Sequence, residues 1–258
     1  MRLMKRILSA AAVLALSASL LVGCSSGTAS SVPVSASSAA ESTVSSVEEN
    51  ASSAVDENEA AAAQLLNDLT GSYQELWPVI LADEYKQTWL DDCTALVGEE
   101  NAEAAFEKLS SMVTSDVYGE DAVEAYANGG GAYFCGFTNS LATLTFDGET
   151  STISGTDKDG NVLFSHTYHY IGMEPVHGLY EFESDDADSG EFTYFFLAPD
   201  TSAETYHIEF RYGSDAEALS QYDAGEYAYW VASGISTDCG QTMIDNCIEL
   251  FCTENLAG

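Results

Sequence analysis

Between residues 60 and 126 apolar side chains recur every three to four positions, the spacing of one helix face. In the stretch YQELWPVILADEYKQTWLDDC, Trp77, Leu81, Tyr85 and Trp89 stand four apart and form one stripe. Pro78 belongs in a first helical turn or kinks the helix. NAEAAFEKLSSMV repeats the pattern with Phe106, Leu109 and Val113. NGGGA at 128–132 ends the helical region, and the period then falls to two. Strands are predicted over 132–137, 140–146, 150–155, 161–171, 177–184, 190–198 and 204–212. Asp147-Gly148, Asp159-Gly160 and Ser189-Gly190 supply turn chemistry between several of them. Many short strands at this spacing predict an antiparallel barrel or sandwich. A last helix is predicted over 240–254, with Met243, Cys247, Ile248 and Phe251 near one face.

The N-terminal segment changes the picture from a free domain to a tethered one. MRLMKR is basic, ILSAAAVLALSASLLV is apolar, and Leu21-Val22-Gly23-Cys24 follows in the form of a bacterial lipobox. This pattern predicts removal of residues 1–23, a lipid on Cys24, and a place on the extracytoplasmic face of the cell membrane. An ordinary secretory peptide with an incidental Cys24 is the plainer alternative. Residues 24–59 are rich in Ser, Ala and Glu and contain no aromatic residue. Such a segment buries too little surface to offset its ordering entropy. It reads as a tether that, as a flexible coil, spans roughly 30 Å. Residues 60–258 are the size of one globular domain.

Charge excludes one class of partner. The formal net charge is −35, and it becomes −38 on loss of residues 1–23, because Arg2, Lys5 and Arg6 leave and every acidic residue stays. A surface of that sign repels nucleic acid. Cys93, Cys135, Cys239, Cys247 and Cys252 remain beside Cys24. Their number is odd, there is no CxxC pair, and the sequence assigns no disulfide.

The chain holds no GxSxG, no HExxH and no phosphate loop, and its carboxylates fall in no paired catalytic pattern, so nothing predicts an enzyme. DKDGN and DDADSGE lack the ligand spacing of a calcium loop and read as turns. His166 and His169 differ by three, so on a strand they face opposite sides. ETYHIEFRY alternates cleanly: Tyr206, Ile208, Phe210 and Tyr212 form one face, and Thr205, His207, Glu209 and Arg211 the other. A histidine and a glutamate two apart on a strand leave the same side, and both suit zinc. The competing reading is a solvated face with Glu209 and Arg211 paired.

Several stretches together resemble the ZinT family, which includes the C-terminal domain of zinc-adhesin lipoproteins. DLTGSYQELWPVI is similar to the family's opening helix, and FLAP followed by AETYHIEF to its pair of ligand-bearing strands. YGSD, YAYW and the closing helix continue in the family's order, over roughly residues 65–255. The resemblance implies an α+β, mainly antiparallel fold: a lipocalin-like (calycin) barrel with N-terminal helices and a C-terminal helix. It implies zinc bound by three histidines and assistance to a metal-uptake transporter. Carried over residue by residue, the first ligand falls on Phe195, the second on Thr205 and the third on His207. A register shifted by two makes His207 the first ligand of the strand pair and Glu209 the second. His207 is kept in both registers, and the polar face would look into the barrel mouth. The expectation is therefore a non-catalytic, lipid-anchored binding protein for a divalent metal, with a reduced set of His207 and Glu209, and His166 or His169 as the candidates from another strand. The alternative is a calycin holding a small organic ligand or a surface partner, with Phe195 and Thr205 lining the cavity.

Overall fold

The computed structural model describes residues 57–256. Cys24, the lipobox and the tether as far as residue 56 lie outside the described residues. Helix α1 covers 57–68. Strand β1 (Gly71–Glu75) follows, then a short helix α2 (Leu76–Ile80), a 3-10 turn at Asp83–Tyr85, and helices α3 (Lys86–Val97), α4 (Glu99–Ser111) and α5 (Glu120–Ala127). Six strands come next: β2 (Thr143–Asp147), β3 (Thr152–Thr156), β4 (Val162–Met173), β5 (Tyr180–Ser184), β6 (Tyr194–Leu197) and β7 (Ile208–Gly213). One helical turn, α6 (Ser202–Thr205), precedes β7. Another, α7 (Ala216–Leu219), leads towards β8 (Ala232–Ser236) and the C-terminal helix α8 (Gln241–Leu256).

The strands close into a barrel in the order β1 to β8, each antiparallel to its neighbours, with β8 returning to β1. The antiparallel barrel with helices before and after it is the expected fold. Closure leaves no unpaired sheet edge.

Two expectations are corrected. Gly71–Glu75 is a strand and not part of the opening helix. It is held by Tyr73 opposite Leu144 on β2 and opposite Ser236 on β8. Residues 132–137 form no strand: Phe134 makes only isolated bridges, to Thr114 and to Trp230. The stripe Trp77, Leu81, Tyr85, Trp89 is also broken. It spans α2, its C-cap, the 3-10 turn and α3. Its two tryptophans still reach one partner, since the rings of Trp77 and Trp89 lie 4.8 Å and 5.6 Å from Phe251 on α8.

Cross-strand register separates the two faces of the wall, because paired residues project to the same side. Tyr73, Leu144, Ile153, Phe164, Phe182, Phe195, Phe210 and Tyr212 line the interior and are buried. Phe195 is enclosed by the rings of Phe164, Tyr168, Phe210 and Tyr212, at 5.3 to 6.4 Å between centroids. Gly155 sits on this face because a Cβ there would lie 2.4 Å from Leu141 Cδ1. The outer face is solvated on β2 to β5. On β7 it is covered: all six residues of that strand are buried. DKDGN forms the β3–β4 turn, where Asp157 Oδ1 accepts from the backbone N–H groups of Asp159 and Asn161 at 2.9 and 2.8 Å.

Candidate functional site

The covered outer wall of β7 carries the polar alternation. Ile208, Phe210 and Tyr212 point inward, so His207, Glu209 and Arg211 point outward, with Cys247 of α8 beside His207 and the 219–227 segment over Arg211. The expected view of this face into the barrel mouth is thereby corrected. The physical reason is which face is apolar: the aromatic set fills the barrel, and the polar set takes the wall that helices cover. All three side chains are nonetheless buried, with His207 at 3%, Glu209 at 4% and Arg211 at 0% exposure. A solvated face is excluded as well.

His207 is oriented by the turn before it. Helix α6 ends at Tyr206, whose φ of 65° is left-handed. That reversal turns the Thr205 carbonyl back to accept from His207 Nδ1 at 2.7 Å. Thr205 Oγ1 in turn donates to the carbonyls of Thr201 and His207 at 3.1 and 3.0 Å. Thr205 thus lies on a helical turn rather than on a strand, and Phe195 lies inside the barrel, so the two share no cavity wall. With Nδ1 committed to a carbonyl, Nε2 is the free nitrogen, the arrangement by which backbone oxygens fix ligand histidines.

Nε2 faces Glu209 Oε1 at 3.8 Å. Both carboxylate oxygens of Glu209 are buried without a hydrogen-bond partner among the described residues. A buried carboxylate is costly without a cation beside it, and the protonated imidazole of His207 is that cation, which a metal ion would have to replace. Burial pulls the His207 pKa down, but contacts with the Cys247 sulfur and the Glu209 carboxylate outweigh it and raise the value to about 10. The Cys247 sulfur on α8 lies 3.9 Å from Nδ1. Across the β7–β8 pair Glu209 stands opposite Ser233. Ser233 Oγ and Trp77 Nε1 are also buried, and both approach the Cys135 sulfur. Cys135 adjoins Glu209, Ser233 and Trp77; burial first, and then the Glu209 charge, pushes its thiol pKa up.

The remaining histidines are elsewhere. His166 pairs with Asp186 and His169 with Asp185, each at 2.7 Å, in the turn after β5. His177 pairs with buried Glu174 at 3.7 Å, and its ring lies 3.8 Å from that of Tyr222, tilted by 50°. Arg211 is not paired with Glu209. Its guanidinium donates to the carbonyls of Leu219, Gln221 and Tyr227 and lies 4.2 Å above the Tyr222 ring.

Two groups of metal-donor type face each other here, His207 Nε2 and the Glu209 carboxylate. Among the described residues no group of three or more His, Cys, Asp or Glu side chains is placed to hold a metal ion. The donors fit a two-residue grip and do not fit a three-histidine centre. Cys135, Cys247 and Ser233 around the pair were not read from the sequence. Their only signal there was polar or thiol side chains within apolar segments, which does not identify neighbours.

No protein-family model and no curated protein sequence matches the chain. Among solved structures, it is similar to the Zn(II)-bound ZinT-like domain of Streptococcus pneumoniae AdcA. The TM-score is 0.45 at 15% identity, over 71% of this chain and 89% of that one. It is also similar to Zn(II)-bound AdcA from the same organism, with a TM-score of 0.41 at 15% identity, over 75% of this chain and 35% of that one.

Proposed function

We propose that this chain is a lipid-anchored, extracytoplasmic binding protein whose His207–Glu209 pair takes a divalent metal ion with low affinity. One observation carries the reading: a buried carboxylate that accepts no hydrogen bond among the described residues faces, at 3.8 Å, the imidazole nitrogen opposite the one held by the Thr205 carbonyl. Zinc suits one imidazole and one carboxylate, and water completes the coordination. The metal and a proton compete for Nε2. With the His207 pKa raised to about 10, apparent affinity drops about tenfold for each pH unit below that value. The domain handles metal without catalysis and passes it towards an uptake transporter.

Calorimetric zinc titration of tag-free protein at moderate salt tests this. The wild type is expected to bind one zinc weakly, more tightly at pH 8 than at pH 6, and His207→Ala to abolish the binding. Salt removes diffuse attraction to the acidic surface but spares a buried site. Equal heats from the two proteins would sink the assignment. Anchoring is tested separately: Cys24→Ser is expected to move the protein from the membrane to the soluble fraction, because stable attachment needs two or more acyl chains. Retention in the membrane fraction would remove the lipid from the account.

A further inference from the structure

Five cysteines of the described domain carry free thiols, and two of them meet. Cys93 on α3 and Cys252 on α8 place their sulfurs 3.9 Å apart, across 159 residues of chain. Both are fully buried, beside the Trp89–Phe251 ring contact that joins the same two helices. No other cysteine pair among the described residues makes a sulfur–sulfur contact. Cys135 and Cys247 lie in the layer around Glu209 and His207, and Cys239 is half-buried.

We infer that Cys93 and Cys252 form a disulfide that staples the C-terminal helix to α3. Their sulfurs, 3.9 Å apart, need to close by only about 2 Å to reach the S–S bond length of about 2.05 Å. The oxidant is a disulfide compound: glutathione disulfide in vitro, and a disulfide-bearing oxidoreductase outside the membrane. One thiol loses its proton and attacks the oxidant, forming a mixed disulfide and releasing one thiolate. The second thiol loses its proton and attacks the protein sulfur of that mixed disulfide, releasing the other. The chain gives up two hydrogens, and the oxidant is reduced to two thiols. In the folded protein burial raises both thiol pKa values and shuts the oxidant out. The exchange therefore belongs to the stage before α8 packs on α3. The staple holds α8, and with it Cys247, over the His207–Glu209 pair, but it does not depend on metal binding there.

Protein folded in a glutathione redox buffer, alkylated in denaturant and mapped by non-reducing peptide mass spectrometry tests the bond without any variant. The expected result is a cross-linked peptide pair containing Cys93 and Cys252, with Cys135, Cys239 and Cys247 alkylated. Reductant is expected to lower Tm by roughly 10 °C, and Cys93→Ala to make Tm indifferent to reductant. Full alkylation of Cys93 and Cys252, their pairing with other cysteines, or a Cys93→Ala protein that still responds to reductant would each overturn the inference.

Discussion

Replacing Arg211 by alanine is expected to destabilise the protein by about 3–5 kcal/mol, because each buried acceptor left without its donor costs about 1–3 kcal/mol. Arg211 is wholly buried, and its guanidinium serves three backbone carbonyls from the 219–227 segment while stacking on Tyr222. Removing it strands those carbonyls away from water and opens a void behind Phe196, its partner on β6. Lysine is not a substitute, because a single ammonium cannot reach carbonyls in three directions or stack as a planar group. Arg211→Lys should therefore recover less than half the loss. Urea denaturation of the three proteins measures both effects. A change below about 1 kcal/mol for Arg211→Ala would show that the carbonyl cradle contributes little.

The second large effect is a pH dependence of stability carried by His207. Its folded pKa, about 10, lies above the unfolded value of about 6.5. The folded state therefore binds the proton more tightly. The corresponding stability is fully present below about pH 6.5 and is lost as pH rises through about 10. The total is on the order of several kcal/mol. His207→Gln keeps a polar side chain but cannot titrate, so its stability between pH 7 and 9 should be flatter than that of the wild type. Parallel slopes for the two proteins would mean that the imidazole is not held protonated by Glu209. A metal bound as proposed would compete with that proton for Nε2, so zinc and alkaline pH would act together.

The order of β2 to β7 was legible in the sequence because their aromatic and β-branched residues alternate between clear turns. Two strands were not. Gly71–Glu75 runs straight into the helix beginning at Leu76, with no turn residue to separate them. Ala232–Ser236 has one β-branched residue, Ile235, among small ones with little intrinsic strand preference, and is fixed by pairing with β7 and β1. At the site, alternation correctly put His207 and Glu209 on one side of a strand. It could not say which side of a closed barrel that was, because both faces of β7 are buried. Thr205 illustrates a second limit. Its place in the alternating run suggested a strand, whereas the left-handed Tyr206 makes it the end of a turn whose carbonyl holds the imidazole. Contacts of Cys135 and Cys247 with the pair arise from tertiary packing of segments far apart in sequence, which no local pattern encodes.

Anomalous diffraction at the zinc absorption edge tests most directly whether metal sits between His207 and Glu209. Crystals grown at alkaline pH with zinc should show one buried anomalous peak at bonding distance, about 2.0–2.2 Å, from both His207 Nε2 and a Glu209 oxygen. Data collected below the edge should lose the peak, and His207→Ala crystals should lack it. Zinc confined to surface carboxylates, with the His207–Glu209 gap still at its present 3.8 Å, would contradict the account and leave the pair as a buried ion pair.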